Sequence, residues 1–149
     1  MTPSPTTRIR YTPAVSHHTF VLADPYSAET PLTGEPPDDL VAAAPGGALF
    51  ATAGNDFTPT VDVELWGAEP PAAGDEWEDV DEATIDNGSG TARIQNVHGE
   101  PAGPDLTLAP GRYHVRAYAR GRSEAAARLG IELFYTGVEE WLVRLWPAS

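Results

Sequence analysis

Gly111-Arg112-Tyr113-His114-Val115-Arg116-Ala117-Tyr118-Ala119-Arg120-Gly121 is the cleanest period-two stretch of the chain. Successive side chains of an extended strand point to opposite faces, so Tyr113, Val115, Ala117 and Ala119 fall on one side and Arg112, His114, Arg116, Tyr118 and Arg120 on the other. One face is apolar and the other cationic, and Pro110-Gly111 and Gly121 punctuate the ends. The spacing predicts a half-buried antiparallel strand of about nine residues.

A second alternation lies in Thr60–Trp66, with Val61, Val63 and Leu65 inward and Asp62, Glu64 and Trp66 outward. The terminal stretch Glu139–Pro147 is apolar on both faces, which places it inside a sheet with cover on both sides. Shorter strands are expected at Arg8–Tyr11, on an edge, and at Val15–Leu22, where adjacent His17 and His18 would point apart. Others are expected at Ala48–Ala53, Asp105–Leu108 and Ile131–Tyr135. Asn87-Gly88-Ser89-Gly90, between the acidic run Asp75–Asp86 and Thr91–Val97, reads as a hairpin turn. Two short helices are expected. One is Asp38–Ala44, with Pro37 before it and Pro45-Gly46-Gly47 after it; the other is Ser123–Leu129, with a serine cap, a Glu124–Arg128 pair and a Gly130 stop. Residues 23–37, rich in proline, read as a loop.

Eight to ten short strands separated by turns predict an all-β, single-domain antiparallel β-sandwich, jelly-roll-like, with one or two short helices. Residues 1–7 are expected to be a disordered N-terminal tail and residues 8–149 the domain. At 149 residues the chain is long enough for a core without staples. It has no cysteine, which removes disulfides, thiolate nucleophiles and zinc–thiolate sites together. Its first residues lack an apolar core region and no apolar run approaches about 18 residues, so a cytoplasmic, soluble protein without a membrane partner is expected.

The net charge is −13, and it is segregated along the chain. From Tyr11 to Ala92 there are 16 acids and no Arg or Lys; from Arg93 to Ser149 there are seven Arg against six acids. A cationic partner is attracted to such a chain and nucleic acid is repelled at long range. The face Arg112, His114, Arg116, Tyr118 and Arg120 has the composition of an anion-facing strand, since arginine pairs with phosphate and stacks on bases. Phosphate affinity needs a local positive field, however, and the net charge opposes it. The favoured reading sets this face against acidic strands or a carboxylate-bearing partner. Asp75, Glu76, Trp77, Glu78, Asp79, Asp81 and Glu82 read either as a solvated edge that resists strand addition or as an acidic docking surface.

Chemistry-bearing motifs are sparse. Asp79-x-Asp81 opens like a calcium loop, but its sixth position is Thr84 and its twelfth Gly90, where the motif needs Gly and Glu. There is no Gly-x-Ser-x-Gly elbow, no phosphate-binding glycine loop and no His-Glu-x-x-His, and the histidines at 17, 18, 98 and 114 are scattered. No catalytic residue, metal site or cofactor is assigned. The alternatives to a protein-binding module are a small-ligand or carbohydrate-binding sandwich that uses Trp66, Trp77 or Trp146 as a stacking platform and, ranked after it, an enzyme of unknown chemistry built on a sandwich.

Four collinear stretches carry a resemblance: His18-Thr19-Phe20-Val21-Leu22-Ala23-Asp24; Asp39-Leu40 with Ala44 through Leu49; Val61-Asp62-Val63-Glu64-Leu65; and Leu106-Thr107-Leu108-Ala109-Pro110-Gly111-Arg112-Tyr113. In them the chain resembles the bacterial competence protein J family, small inhibitors of a DNA-entry nuclease. The resemblance implies a non-catalytic, immunity-type binder that blocks a basic, DNA-binding surface of a nuclease or toxin. On that implication Asp75, Glu76, Glu78, Asp79, Asp81 and Glu82 stand in for DNA phosphates, and Trp77 is the aromatic anchor.

Overall fold

The predicted central alternation forms β9 (Gly111–Arg120). Tyr113, Val115, Ala117 and Ala119 are all buried, because this side of the strand faces a second sheet. The computed structural model describes residues 3–29 and 36–148. Part of the tail read over residues 1–7, and the middle of the loop read over 23–37, lie outside the described residues. Within the described part, Thr7 already opens the first strand, and the Thr6 backbone N–H donates to the Leu65 carbonyl at 2.7 Å.

Among the described residues ten strands form two five-stranded sheets. The first contains β1 (Thr7–Tyr11), β5 (Thr58–Leu65), β10 (Thr136–Pro147), β9 and β6 (Asp79–Asn87), side by side in that order. The second contains β3 (Val41–Ala44), β4 (Gly47–Ala51), β2 (Thr19–Ala23), β7 (Thr91–Asn96) and β8 (Leu106–Thr107). The all-β sandwich read from the sequence is the observed architecture, and β1 is an edge strand as expected. All pairings are antiparallel except β10 with β5, which run parallel with Trp141 opposite Val61 and Leu145 opposite Leu65. β10 sits at the centre of its sheet with Trp141, Val143 and Leu145 in the core and Leu142 and Trp146 buried on the other side. That double cover is what its two apolar faces demand.

The core closes on three rings. Phe20 of β2 and Phe50 of β4 stack at 4.8 Å, and Trp141 from the opposite sheet meets both edge-on at 5.1 and 5.9 Å. Edge-to-face contact sets the positive rim of one ring against the negative face of the other.

Four local expectations are corrected. Val41–Ala44 is strand β3, not part of a helix, because Pro45-Gly46 makes a two-residue turn that folds it back on β4, with Ala44 opposite Gly47. Gly46 has φ of 80°, the conformation demanded at the second central position of a Pro-Gly turn. Secondly, β6 and β7 do not form a hairpin; they belong to different sheets. The Asn87 side chain builds the corner instead, donating to the Thr91 carbonyl at 2.8 Å and accepting from the Gly90 N–H at 2.9 Å. Thirdly, His17 and His18 have φ of 56° and 53°, so they turn the chain into β2 and do not occupy opposite faces of a strand. Lastly, Ile131–Tyr135 is a loop: the N–H groups of Ile131 and Glu132 both turn back to the Arg128 carbonyl at 3.0 Å. The second predicted helix is present as α1 (Arg122–Ala127), with Gly121 and not Ser123 at its N-cap. Among the described residues no helix is long and apolar enough to cross a membrane.

Phe50→Ala removes one ring of the stacked pair and leaves a cavity against Trp141. We expect it to cost about 3–5 kcal/mol with an unchanged denaturant slope, read by urea unfolding.

Candidate functional site

The cationic face of β9 lies on the outside of the first sheet, where antiparallel register sets each arginine beside a carboxylate. Arg112 of β9 stands opposite Asp86 of β6, and Arg116 opposite Glu82. Both become ion pairs, Arg112 Nε to Asp86 at 3.1 Å and Arg116 Nη2 to Glu82 at 3.0 Å and to Glu69 at 2.9 Å. Arg120 meets Glu140 of β10 at 2.6 Å. The three arginines of this face thus each lie against a carboxylate of their own chain. His114 lies 5.3 Å from Trp146, and Tyr118 is buried beneath the connection between β5 and β6.

That connection, residues 66–78, crosses the outer face as a strap. The Ala73 N–H donates to the Tyr118 hydroxyl at 3.2 Å, and Arg144 Nη1 donates to the Pro71 carbonyl at 2.8 Å. Guanidinium groups and rings interleave below it: Arg144 over Trp66 at 5.1 Å, Arg116 over Trp146 at 4.7 Å and Arg120 over Trp77 at 4.6 Å. Trp66 and Trp146 are therefore buried, which removes them as stacking platforms for a ligand; Trp77 alone of the three keeps exposed surface. Beside it a groove of about 780 Å³ runs between the strap and β6, lined by Pro71, Trp77, Val80, Glu82 and Arg116 among others.

Asp62 and Glu64, the polar positions of β5, are buried in the same layer. Asp62 accepts from Arg8 and Arg10 at 2.8 Å each, and Glu64 accepts from Arg144 Nε at 2.9 Å and from the Trp66 indole at 3.0 Å. Burial pushes the Asp62 carboxyl up, but the Arg10 and Arg8 hydrogen bonds and charges outweigh it and hold the group below the ordinary aspartate range.

The acidic run is divided between uses. Glu78 accepts from the Gly121 N–H at 2.6 Å, Asp79 lies 3.7 Å from Arg122, and Asp81 accepts from the Val41 N–H at 3.2 Å. Glu82 is spent on Arg116. Asp75 and Glu76 stand exposed in the turn before β6, without an ion pair among the described residues. β6 is an edge strand, so both readings of these acids, solvated edge and docking surface, use the same geometry.

Register shows where this strip lies. β1, β4, β7 and β9 end, and β2, β3, β5, β6 and β10 begin, at one pole of the sandwich. Asp75, Glu76, Glu78 and Asp79 sit there, with Asp38 and Asp39 across a small cleft shared with Asp79, Asp81 and Arg122. Among the described residues every non-glycine residue with positive φ is at the same pole: His17, His18, Asp56, Phe134 and Val138. Such conformations cost about 1–3 kcal/mol each and gather where function fixes the backbone. Sequence reasoning missed this concentration because only register gathers loops so distant along the chain.

A further residue missed is Glu139, fully buried at the start of β10. Oε1 accepts from the Ala53 and Gly54 N–H groups at 3.0 Å each, and Oε2 accepts from the Trp141 indole at 2.7 Å and from Arg122 at 3.3 Å. Burial pushes its carboxyl above the usual range against these donors. It ties the 52–57 loop, the start of α1 and β10 together.

Glu139→Gln turns an amide NH₂ toward donors, and we expect a loss of about 1–3 kcal/mol by urea unfolding. For Asp62, a depressed folded value means a contribution present above the unfolded value and lost as pH falls through the folded one. Asp62→Asn should therefore lower stability at pH 7 and flatten its decline below about pH 4, followed by thermal melts across that window.

No family profile and no curated protein matches the chain. Among solved structures the fold is similar to that of ComJ from Bacillus subtilis, described as an inhibitor of the DNA-degrading activity of NucA, with a TM-score of 0.66 and 13% identity over 99% of this chain and 100% of that one. It is also similar to the crocagin biosynthetic gene J product, with a TM-score of 0.60 and 14% identity over the whole of both chains. At these identities the likeness is one of fold. The tertiary structure thus matches, along its whole length, the fold of the group that four short stretches of sequence resemble.

Proposed function

We propose that this chain is a non-catalytic protein-binding module that inhibits a DNA-degrading nuclease by covering its basic, nucleic-acid-binding surface. The observation that carries the reading is the full-length fold likeness to an inhibitor of such a nuclease. Charge distribution supports it. The acids at the pole, Asp75 and Glu76 with Asp38 and Asp39, stand where a cationic surface meets them before any arginine, since Arg120 and Arg122 are already paired with Glu140, Asp79 and Glu139.

In this mechanism carboxylates take the positions of DNA phosphates. Long-range attraction between a chain of net charge −13 and a basic cleft speeds encounter, and the short contacts then exclude DNA by occupancy. Glu78, Asp79, Asp81 and Glu82 are partly used within the fold. They contribute field and shape, while Asp75 and Glu76 are free to make direct pairs. Trp77, held by Arg120 and next to Tyr118 at 6.2 Å, offers a rigid ring at the margin of the strip. It is the aromatic contact of the surface.

The test is inhibition of DNA degradation by purified nucleases encoded in the same genome. One of them is expected to be inhibited, with affinity falling steeply as salt rises, and the Asp75→Asn/Glu76→Gln variant should associate several-fold more slowly at low salt, on the order of 3–10-fold, as measured by stopped flow. Absence of any inhibited nuclease, or inhibition indifferent to salt, rejects the reading.

A further inference from the structure

Six large apolar side chains are exposed among the described residues: Tyr26, Val80, Leu129, Ile131, Leu133 and Phe134. Four of them lie in the loop between α1 and β10, at the acidic pole, with Ile131 83% and Phe134 81% exposed. A connection of this length needs no apolar residue, and exposed apolar clusters on soluble proteins mark contact sites.

The loop is braced. The Phe134 N–H donates to the Asp56 carbonyl at 2.6 Å and the Thr58 N–H to the Tyr135 carbonyl at 2.9 Å. Arg128 pairs with Glu124 and Glu132 at 3.2 Å each and lies 4.9 Å over the Tyr135 ring, which in turn rests 5.1 Å from Phe57. Phe134 itself holds a φ of 59°, so the fixed backbone presents the side chain outward at a conformational cost. A preorganised apolar group loses little entropy on binding.

We propose that this loop is the apolar anchor of the docking face, and that Ile131, Leu133 and Phe134 enter an apolar recess in the surface of a cationic protein. The proposal rests on the reading above and adds to it the contact that holds the complex after encounter. Charge selects the occupant. The acids around the loop are Asp56, Glu100, Glu124 and Glu132, and the arginines of this pole, Arg120, Arg122 and Arg128, all face carboxylates of their own chain. A second copy would set net charge −13 against −13, and an anionic lipid surface would be repelled in the same way. The anchor and the acidic strip meet at α1: Glu78 accepts from the Gly121 N–H at its start, and the loop leaves its end.

The experiment compares Ile131→Ser/Leu133→Ser with wild type, Phe134 being kept so that the braced backbone is undisturbed and folding being checked by thermal melts. Against the nuclease that wild type inhibits, the double variant should raise Kd at least about tenfold through faster dissociation, equally at low and high salt, with association within about twofold. An unchanged Kd overturns the anchor and leaves the nuclease reading standing. If wild type inhibits no nuclease, that reading fails, and a photoreactive benzoylphenylalanine at position 131 in living cells decides the anchor. An adduct to a basic protein that, once purified, binds wild type at least about tenfold tighter than the double variant upholds it. No adduct, an adduct to lipid, or an adduct to a second copy overturns it.

Discussion

A carboxylate with no access to solvent, that of Glu139, is the constraint on which one whole end of the molecule depends. An unpaired charge there would be prohibitive, so four donors from three parts of the chain must converge on it: the Ala53 and Gly54 amides, the Trp141 indole and Arg122. Trp141 is also the ring that locks the sheets together through Phe20 and Phe50. Packing of the core and placement of the pole are therefore one problem with one solution. Loosening the carboxylate would free the 52–57 loop, the start of α1 and the first turn of β10 together.

The outer face of the first sheet follows a second rule. Among the described residues eight of the nine arginines, at positions 8, 10, 112, 116, 120, 122, 128 and 144, are paired with carboxylates, and several also stack on tryptophan or tyrosine. Partly buried pairs of this kind gain from low local dielectric and from geometry fixed by the pleat. Their consequence for function is negative charge left over elsewhere. Among the described carboxylates without an ion pair, Asp38, Asp39, Asp75 and Glu76 lie at the pole where β6 begins, and Asp24 and Glu29 line a cleft at the other end of the sandwich.

Much of the fold was legible in the sequence because period-two patterning survives wherever one face is buried. Tyr113, Val115, Ala117 and Ala119, or Val61 and Val63, are read correctly for that reason. Legibility failed where a local signal has two tertiary meanings. Asn87-Gly88 suits a hairpin turn, yet here it carries the chain from one sheet to the other, and the difference lies in which partners β6 and β7 find far along the chain. Asp38–Ala44 has helical composition, but four residues beside a Pro-Gly turn gain more from pairing with β4 than from an isolated helical turn. Of the candidate site, the acidic run was visible as composition; its division into spent and free carboxylates was not.

By itself the sequence determined the all-β class, the central alternating strand, the doubly covered terminal strand and the excess of acid, since each follows from spacing and composition along a short stretch. Only the tertiary structure decided which charges cancel and which remain, and which loops share a pole. Those outcomes depend on register between strands that are tens of residues apart, and a one-residue shift of register would exchange the two faces of every strand involved.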